Sequence, residues 1–164
     1  MVVIVGVPGS GKSTVGKRLA KNLGVGFRDT DKIVEEQAGR TIADIFLEDG
    51  EAAFRTLEQQ AVLTALTEFD GVLALGGGSI TSDAVRSALK GHQVVWLRVT
   101  LTTAASRVGL NRDRPLLLGN VRATLLGLMN ARHPMYEEVS TIIVDTDAMT
   151  AEQVAQDLAK QLSA

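Results

Sequence analysis

Near the start of the chain, Gly6-Val7-Pro8-Gly9-Ser10-Gly11-Lys12-Ser13-Thr14 joins a glycine-rich turn to an ammonium group and several hydroxyls. Gly6, Gly11, Lys12 and Ser13 occupy the fixed positions of the G-x-x-x-x-G-K-S phosphate-binding pattern. Each residue type has a physical reason to stand there. Glycine lets the backbone take positive φ and turn its N–H groups inward, which makes a nest for phosphate oxygens. Lys12 adds a point charge within reach of β- and γ-phosphates, and the Ser13 hydroxyl can ligate Mg²⁺. A helix opening at Lys12 would aim the positive end of its dipole at the same anion. Gly9, Ser10, Gly11, Lys12, Ser13 and Thr14 are therefore the expected triphosphate cradle, and the chain is expected to bind a nucleoside triphosphate.

Other residues carry chemistry further along. Asp29 and Asp31 follow a weak β-rich run, Val25–Phe27. That is the carboxyl end of a strand, where open α/β sheets bind ligands. One carboxylate would serve Mg²⁺, through water, and the other a substrate hydroxyl. The alternative is that Asp31 only caps a helix beginning at Lys32. Arg55 has Glu51 at i−4 and Glu58 at i+3. Such a trio is either a surface salt-bridge cluster worth under about 1 kcal/mol or a guanidinium fork oriented for a substrate carboxylate. Spacing leaves both readings open. Gly76-Gly77-Gly78 ends another β-rich run, where bare backbone N–H groups can meet a ligand; a flexible loop is the alternative. Val121, Leu125, Leu128 and Arg132 share one helical face, so Arg132 points inward and needs a carboxylate from the protein or from a ligand. Pro134 is expected to bend or end that helix.

Short β-rich runs must position these groups: Val2–Val5, Val25–Phe27, Val72–Leu75, Val94–Val99 and Thr141–Val144. They alternate with helical patterns, the mark of a parallel sheet covered on both faces. The first helix presents Val15, Leu19, Ala20 and Leu23 on one side, and the last presents Val154, Ala155, Leu158, Ala159 and Leu162. Trp96, the only tryptophan, reads as core packing. Residues 31–70 are too long for one crossover helix, so a small helical subdomain is expected there. The basic stretch 110–120, with Arg112, Arg114 and a leucine run, reads as a lid.

With 164 residues, the chain is expected to form a single domain, 1–164. Its net charge of −2 gives no electrostatic support for nucleic acid or an anionic membrane as partner. The lack of cysteine excludes disulfides and thiolate metal sites. No stretch approaches the ~20 apolar residues of a membrane span, and a first strand at Val2 leaves no signal peptide in view. A cytoplasmic monomer is the expectation.

Taken together, the motifs resemble those of the shikimate kinase family. The landmarks occur in order: G-x-P-G-S-G-K-S, Asp29-Thr30-Asp31, Ile42-Ala43-Asp44-Ile45-Phe46, Gly50-Glu51 through Arg55 to Glu58, the glycine run, Arg114-Pro115-Leu116-Leu117, and Arg132 ahead of Pro134-Met135-Tyr136. The resemblance implies an α/β, phosphate-loop three-layer sandwich with a five-stranded parallel sheet, an inserted substrate subdomain at about 31–70 and a lid at about 110–120. It implies transfer of the ATP γ-phosphate to the 3-hydroxyl of shikimate, on the way to aromatic amino acids. Lys12, Asp31 and Arg114 would then be catalytic, and Ser13 and Asp29 would hold Mg²⁺. Arg107 would lie against the adenine, its alternative being a solvated helix residue. Asp31, Arg55, Gly77 and Arg132 would hold shikimate. Met149-Thr150-Ala151 departs from the family, which often has a basic residue and a proline there. A gluconate or nucleoside-monophosphate kinase, or a nucleotide switch without transferase activity, stays open as an alternative.

Overall fold

Strand β1 (Val2–Val5) is apolar throughout, and its side chains alternate between two cores. Val3 and Val5 face one side, Ile4 the other. The computed structural model describes residues 1–108 and 120–163, with the backbone alone for Val121. In it β1 lies at the centre of a five-stranded parallel sheet with β2 (Gly26–Asp29), β3 (Gly71–Ala74), β4 (Gln93–Arg98) and β5 (Ile142–Asp145), in the order β2-β3-β1-β4-β5. The expected strands are all present. β2 runs two residues further than expected, because polar Arg28 and Asp29 still pair with Leu73 and Ala74 at the sheet edge, where one face is open.

One face of the sheet is covered by α1 (Lys12–Leu23) and α8 (Ala151–Ser163), whose Val15, Leu19, Val154 and Leu158 enclose Ile4, Val95 and Leu97. The opposite face carries α2 (Thr30–Ala38), α3 (Ile42–Asp49), α4 (Glu51–Glu68), α5 (Asp83–Ala88), α6 (Leu101–Val108) and α7 (Val121–Val139). The long crossover between β2 and β3 thus holds α2, α3 and α4.

Strands β1 and β3 are neighbours, with Val2 beside Val72 and Ile4 beside Ala74. The loops that follow them therefore emerge side by side. Strand order reverses here: β2 and β3 lie to one side of β1, β4 and β5 to the other. A crevice outside the carboxyl ends at such a reversal is where this architecture binds ligands.

Helix α7 corrects the expectation for Pro134. The helix runs through it to Val139. Proline removes the N–H that would have served the Asn130 carbonyl, but both residues are exposed and water can take that bond. The inward face of α7 is Leu125, Met129, Arg132 and Tyr136, with Leu128 half-buried.

Candidate active site

The loop after β1 turns on Gly9 (φ 84°) and Gly11 (φ 90°), left-handed positions that disfavour any side chain. A Cβ at Gly9 would also stand 2.7 Å from the Ala104 carbonyl oxygen. Gly11 is the N-cap of α1, so the helix begins where the nest ends. Lys12 is buried, and its Nζ donates back to the carbonyls of Gly6 (2.8 Å) and Val7 (3.0 Å). Arg107, from the last turn of α6, donates to the Gly9 carbonyl at 3.0 Å. Both cations thus hydrogen-bond to carbonyls of the loop.

Asp29 joins this loop to the next strand end. Its Oδ2 accepts from Ser13 Oγ at 2.6 Å, and its Oδ1 accepts from the Asp31 backbone N–H at 2.9 Å. The helix cap is therefore Asp29, the last residue of β2, and Asp31 lies in the first turn of α2. This settles the alternative left open for Asp31. Its side chain is not spent on capping, and it is buried. The cleft of about 280 Å³ beside the loop is lined by Lys12, Ser13, Thr14, Asp29, Asp31 and Arg107, among others.

The glycine run after β3 lies against a cluster of charged side chains. A Cβ at Gly76 would stand 2.5 Å from Asp31 Oδ1 and 2.7 Å from Glu58 Oε2. One at Gly77 would stand 3.1 Å from the Pro8 ring and 3.4 Å from Arg132 Nη1. One at Gly78 would overlap the Arg55 guanidinium, with Cζ 2.5 Å away. Each glycine thus makes room for a different charged group. Two carboxylates and two guanidinium groups, from α2, α4 and α7, converge on three residues of backbone.

The two arginines are held differently. Arg55 Nη1 donates to Glu58 at 2.7 Å, while exposed Glu51 stands 3.6 Å from Nη2. Glu58 is only 3% exposed. Burial pushes its carboxyl pKa up, against the opposing charge and hydrogen bond of Arg55. Arg132 is 5% exposed, and among the described residues no carboxylate pairs with it. A guanidinium desolvated without an anion is costly. Arg132 Nη1 lies beside Gly77, next to the glycines that abut Asp31, Glu58 and Arg55.

The chain belongs to the shikimate kinase family. The family model described as shikimate kinase matches residues 8–163. A shikimate kinase of Thermobifida fusca is 50% identical, over 100% of this chain and 95% of its own. That of Salinispora tropica is 54% identical, over 98% and 96%. The structure of an Acinetobacter baumannii shikimate kinase in complex with shikimate superposes with a TM-score of 0.95 at 35% identity, covering 99% of this chain and 92% of that one.

Of the residues expected to serve this kinase, the structure brings Gly9, Gly11, Lys12, Ser13, Thr14, Asp29, Asp31 and Arg107 to the cleft beside the loop. Ser10 is buried within the loop. Asp31, Arg55 and Arg132 each lie against the glycine run, at Gly76, Gly78 and Gly77 respectively. Arg114 and the expected lid lie outside the described residues. Met149 and Ala151 pack against the core between α1 and α8.

Two contributors escaped the sequence reading. Thr30, fully buried between the two aspartates, accepts from the Gly76 N–H at 2.9 Å and so ties the glycine loop to α2. Glu58 was visible as a partner of Arg55, but its burial was not; it falls on the same face of α4 as Phe54, Ala61 and Ala65, and that periodicity could have signalled it.

Proposed function

We propose a division of labour by which this chain, an ATP-dependent kinase acting on shikimate, transfers the γ-phosphate to the 3-hydroxyl. The observation that carries it is Arg132: a buried guanidinium with no carboxylate partner among the described residues, beside Arg55 and next to the phosphate loop. A fork of two arginines suits a carboxylate. Arg55 and Arg132 clamp that of shikimate, and the N–H groups of the glycine floor meet the ring. The 3-hydroxyl then lies towards Asp31, which borders both pockets. Asp31 orients this hydroxyl and accepts its proton as the oxygen–phosphorus bond forms.

On the nucleotide side, the loop N–H groups and Lys12 hold the phosphates once Lys12 leaves the Gly6 and Val7 carbonyls. Arg114 adds positive charge at the transferring phosphate, and Arg107 lies against the adenine. Ser13 and Asp29 offer a hydroxyl and a carboxylate 2.6 Å apart, hard oxygen donors few enough to suit Mg²⁺, which keeps several waters and phosphate oxygens. Bound there, Mg²⁺ would neutralise phosphate charge. Helices α2–α4 act as the acceptor-binding unit, and residues 110–120 as the lid. No helix among the described residues is long and apolar enough to cross a membrane, and we place the kinase in the cytoplasm as a monomer.

Coupled detection of ADP across a panel of acceptors tests the reading. ADP release should depend on shikimate and should not respond to gluconate or nucleoside monophosphates. Equal release with and without shikimate sinks the assignment.

A further inference from the structure

The backbone of the glycine floor can be accounted for group by group. The Gly76 N–H donates to Thr30 Oγ1 at 2.9 Å, and the Gly76 carbonyl accepts from the Ser79 N–H at 3.0 Å. The Gly78 carbonyl accepts from the Thr81 N–H at 3.1 Å and from its hydroxyl at 2.7 Å. The Gly77 carbonyl accepts from the hydroxyl of Tyr136 at 2.7 Å. Among the described residues nothing accepts from the N–H groups of Gly77 and Gly78, although both glycines are buried. Buried backbone donors are rarely left without an acceptor, so these two are the ones available to a ligand.

The bond to Tyr136 decides where one of them points. A peptide is planar, and its C=O and N–H lie on opposite edges. The Gly77 carbonyl and the Gly78 N–H belong to the same plane. Fixing the carbonyl towards Tyr136 turns the Gly78 N–H the other way. Glycine on both sides of that plane leaves it otherwise easy to rotate. The donor itself cannot wander. Tyr136 is 1% exposed, and its ring stacks on buried Trp96 of β4 with centroids 5.6 Å apart. It also sits one turn beyond Arg132 on the inward face of α7, so one helix delivers both the guanidinium and the bond that orients the floor.

We propose that Tyr136 is a positioning residue for the acceptor: its hydroxyl fixes the Gly77–Gly78 peptide so that the Gly78 N–H is presented to shikimate between Arg55 and Arg132. This rests on the reading of the pocket as the shikimate site.

Tyr136→Phe removes the hydroxyl and keeps the ring on Trp96. Steady-state kinetics and calorimetry should show shikimate KM and Kd raised about tenfold, with kcat within about twofold and ATP affinity unchanged. A purely structural hydroxyl would instead lower Tm and leave shikimate affinity at the wild-type value, and that result overturns the proposal. Trp96→Phe, which loosens the same stack without touching the hydroxyl, should lower Tm and leave shikimate affinity alone; an equal loss of affinity there would mean that packing, not the bond, matters. Tyr136 is the only tyrosine. If the phenylalanine variant does not fold, 3-fluorotyrosine in the otherwise native chain gives a single ¹⁹F resonance. It should move on adding shikimate and stay put with ATP alone; no response to shikimate overturns the proposal. A wild-type protein that fails to bind shikimate overturns the reading of the pocket, whereas wild-type binding retained in Tyr136→Phe overturns the tyrosine's role only.

Discussion

The two halves of the active site meet their hydrogen-bonding demands in opposite ways. The nucleotide half is closed on itself. Lys12 donates to Gly6 and Val7, Arg107 to Gly9, and Ser13 to Asp29. The acceptor half is left open, with a buried Arg132 lacking any carboxylate among the described residues and the Gly77 and Gly78 N–H groups lacking an acceptor. On the function proposed above, phosphates would compete with the Gly6, Val7 and Gly9 carbonyls for the same cations. On the same reading, an acceptor carboxylate would supply Arg132 with the charge partner it lacks among the described residues. Asp31 stands on the border between the two halves.

The largest expected effect comes from that border. Asp31→Asn keeps the shape of the side chain but removes its charge and its capacity to accept a proton. Turnover should fall by roughly 10²–10⁴-fold, with both ligands still binding by calorimetry. Near-normal turnover would remove Asp31 from the chemistry and leave the two halves without a shared catalytic group.

Next in size are substitutions that set the halves against each other. Arg132→Leu and Arg55→Ala should each weaken shikimate binding by about 2–5 kcal/mol, as for truncating one side of a desolvated charge pair, with ATP affinity little changed. Their counterpart is Lys12→Met, which should weaken ATP binding and leave shikimate affinity little changed. The contrast lies in the ligand-free stability. Removing an uncompensated buried charge stabilises, so Arg132→Leu should raise Tm. Lys12→Met leaves the Gly6 and Val7 carbonyls without their donor and should lower it. Thermal unfolding of the two variants side by side checks this; shifts of the same sign would break the comparison.

The same contrast governs how much the sequence disclosed. The phosphate loop of the nucleotide half is one contiguous stretch whose glycine spacing states its own geometry, whereas Asp29 and Arg107 reach it from β2 and α6. The sheet was legible for a similar local reason, since runs such as Val2–Val5 and Val94–Val99 show their burial directly. The acceptor half joins residues 31, 55, 58, 76–78 and 132 from separate elements, and no local pattern says that they meet. Spacing placed Arg132 inward, but left Arg55 undecided between a surface cluster and a fork. The family resemblance chose for Arg55, and the structure adds that its guanidinium lies against Gly78. Thr30 stayed hidden because its hydroxyl acts on a backbone N–H 46 positions away. Pro134 misled because a proline's effect depends on whether water reaches the carbonyl it orphans, and that is a property of the folded surface.

A smaller effect tests the glycine floor. Gly78→Ala places a methyl where the Arg55 guanidinium lies, and Arg55 is pinned by Glu58, so the arginine must give way. Shikimate affinity should fall by about 1–3 kcal/mol, the usual range for a forced overlap. ATP affinity measured on the same sample should not move. If shikimate binds as before, the floor is not shaped by these contacts.

The smallest expected effect concerns Glu58, where the demands of stability and of binding oppose each other within one residue. Burial raises its carboxyl pKa above the ordinary 4.5, and Arg55 offsets this only in part. The folded chain therefore keeps this proton at pH values where the unfolded chain has released it. Linkage fixes the sign: stability falls as pH rises through the window that opens near 4.5 and closes at the raised value, and the loss is complete above it. Glu58→Gln carries no such loss. Between pH 5 and 8 its Tm should equal or exceed the wild-type value by no more than about 4 °C, and the advantage should shrink on acidification. Binding should run the other way. A neutral amide still accepts a hydrogen bond from Arg55 but no longer holds its charge, so shikimate affinity should fall severalfold at neutral pH. Wild-type affinity should decline towards that of the variant as Glu58 itself takes up a proton. Tm and shikimate Kd followed together across pH for both proteins decide the matter. A variant that loses stability at neutral pH would show that the Arg55–Glu58 pair holds the fold together, and the acceptor half would then be less strained than Arg132 suggests.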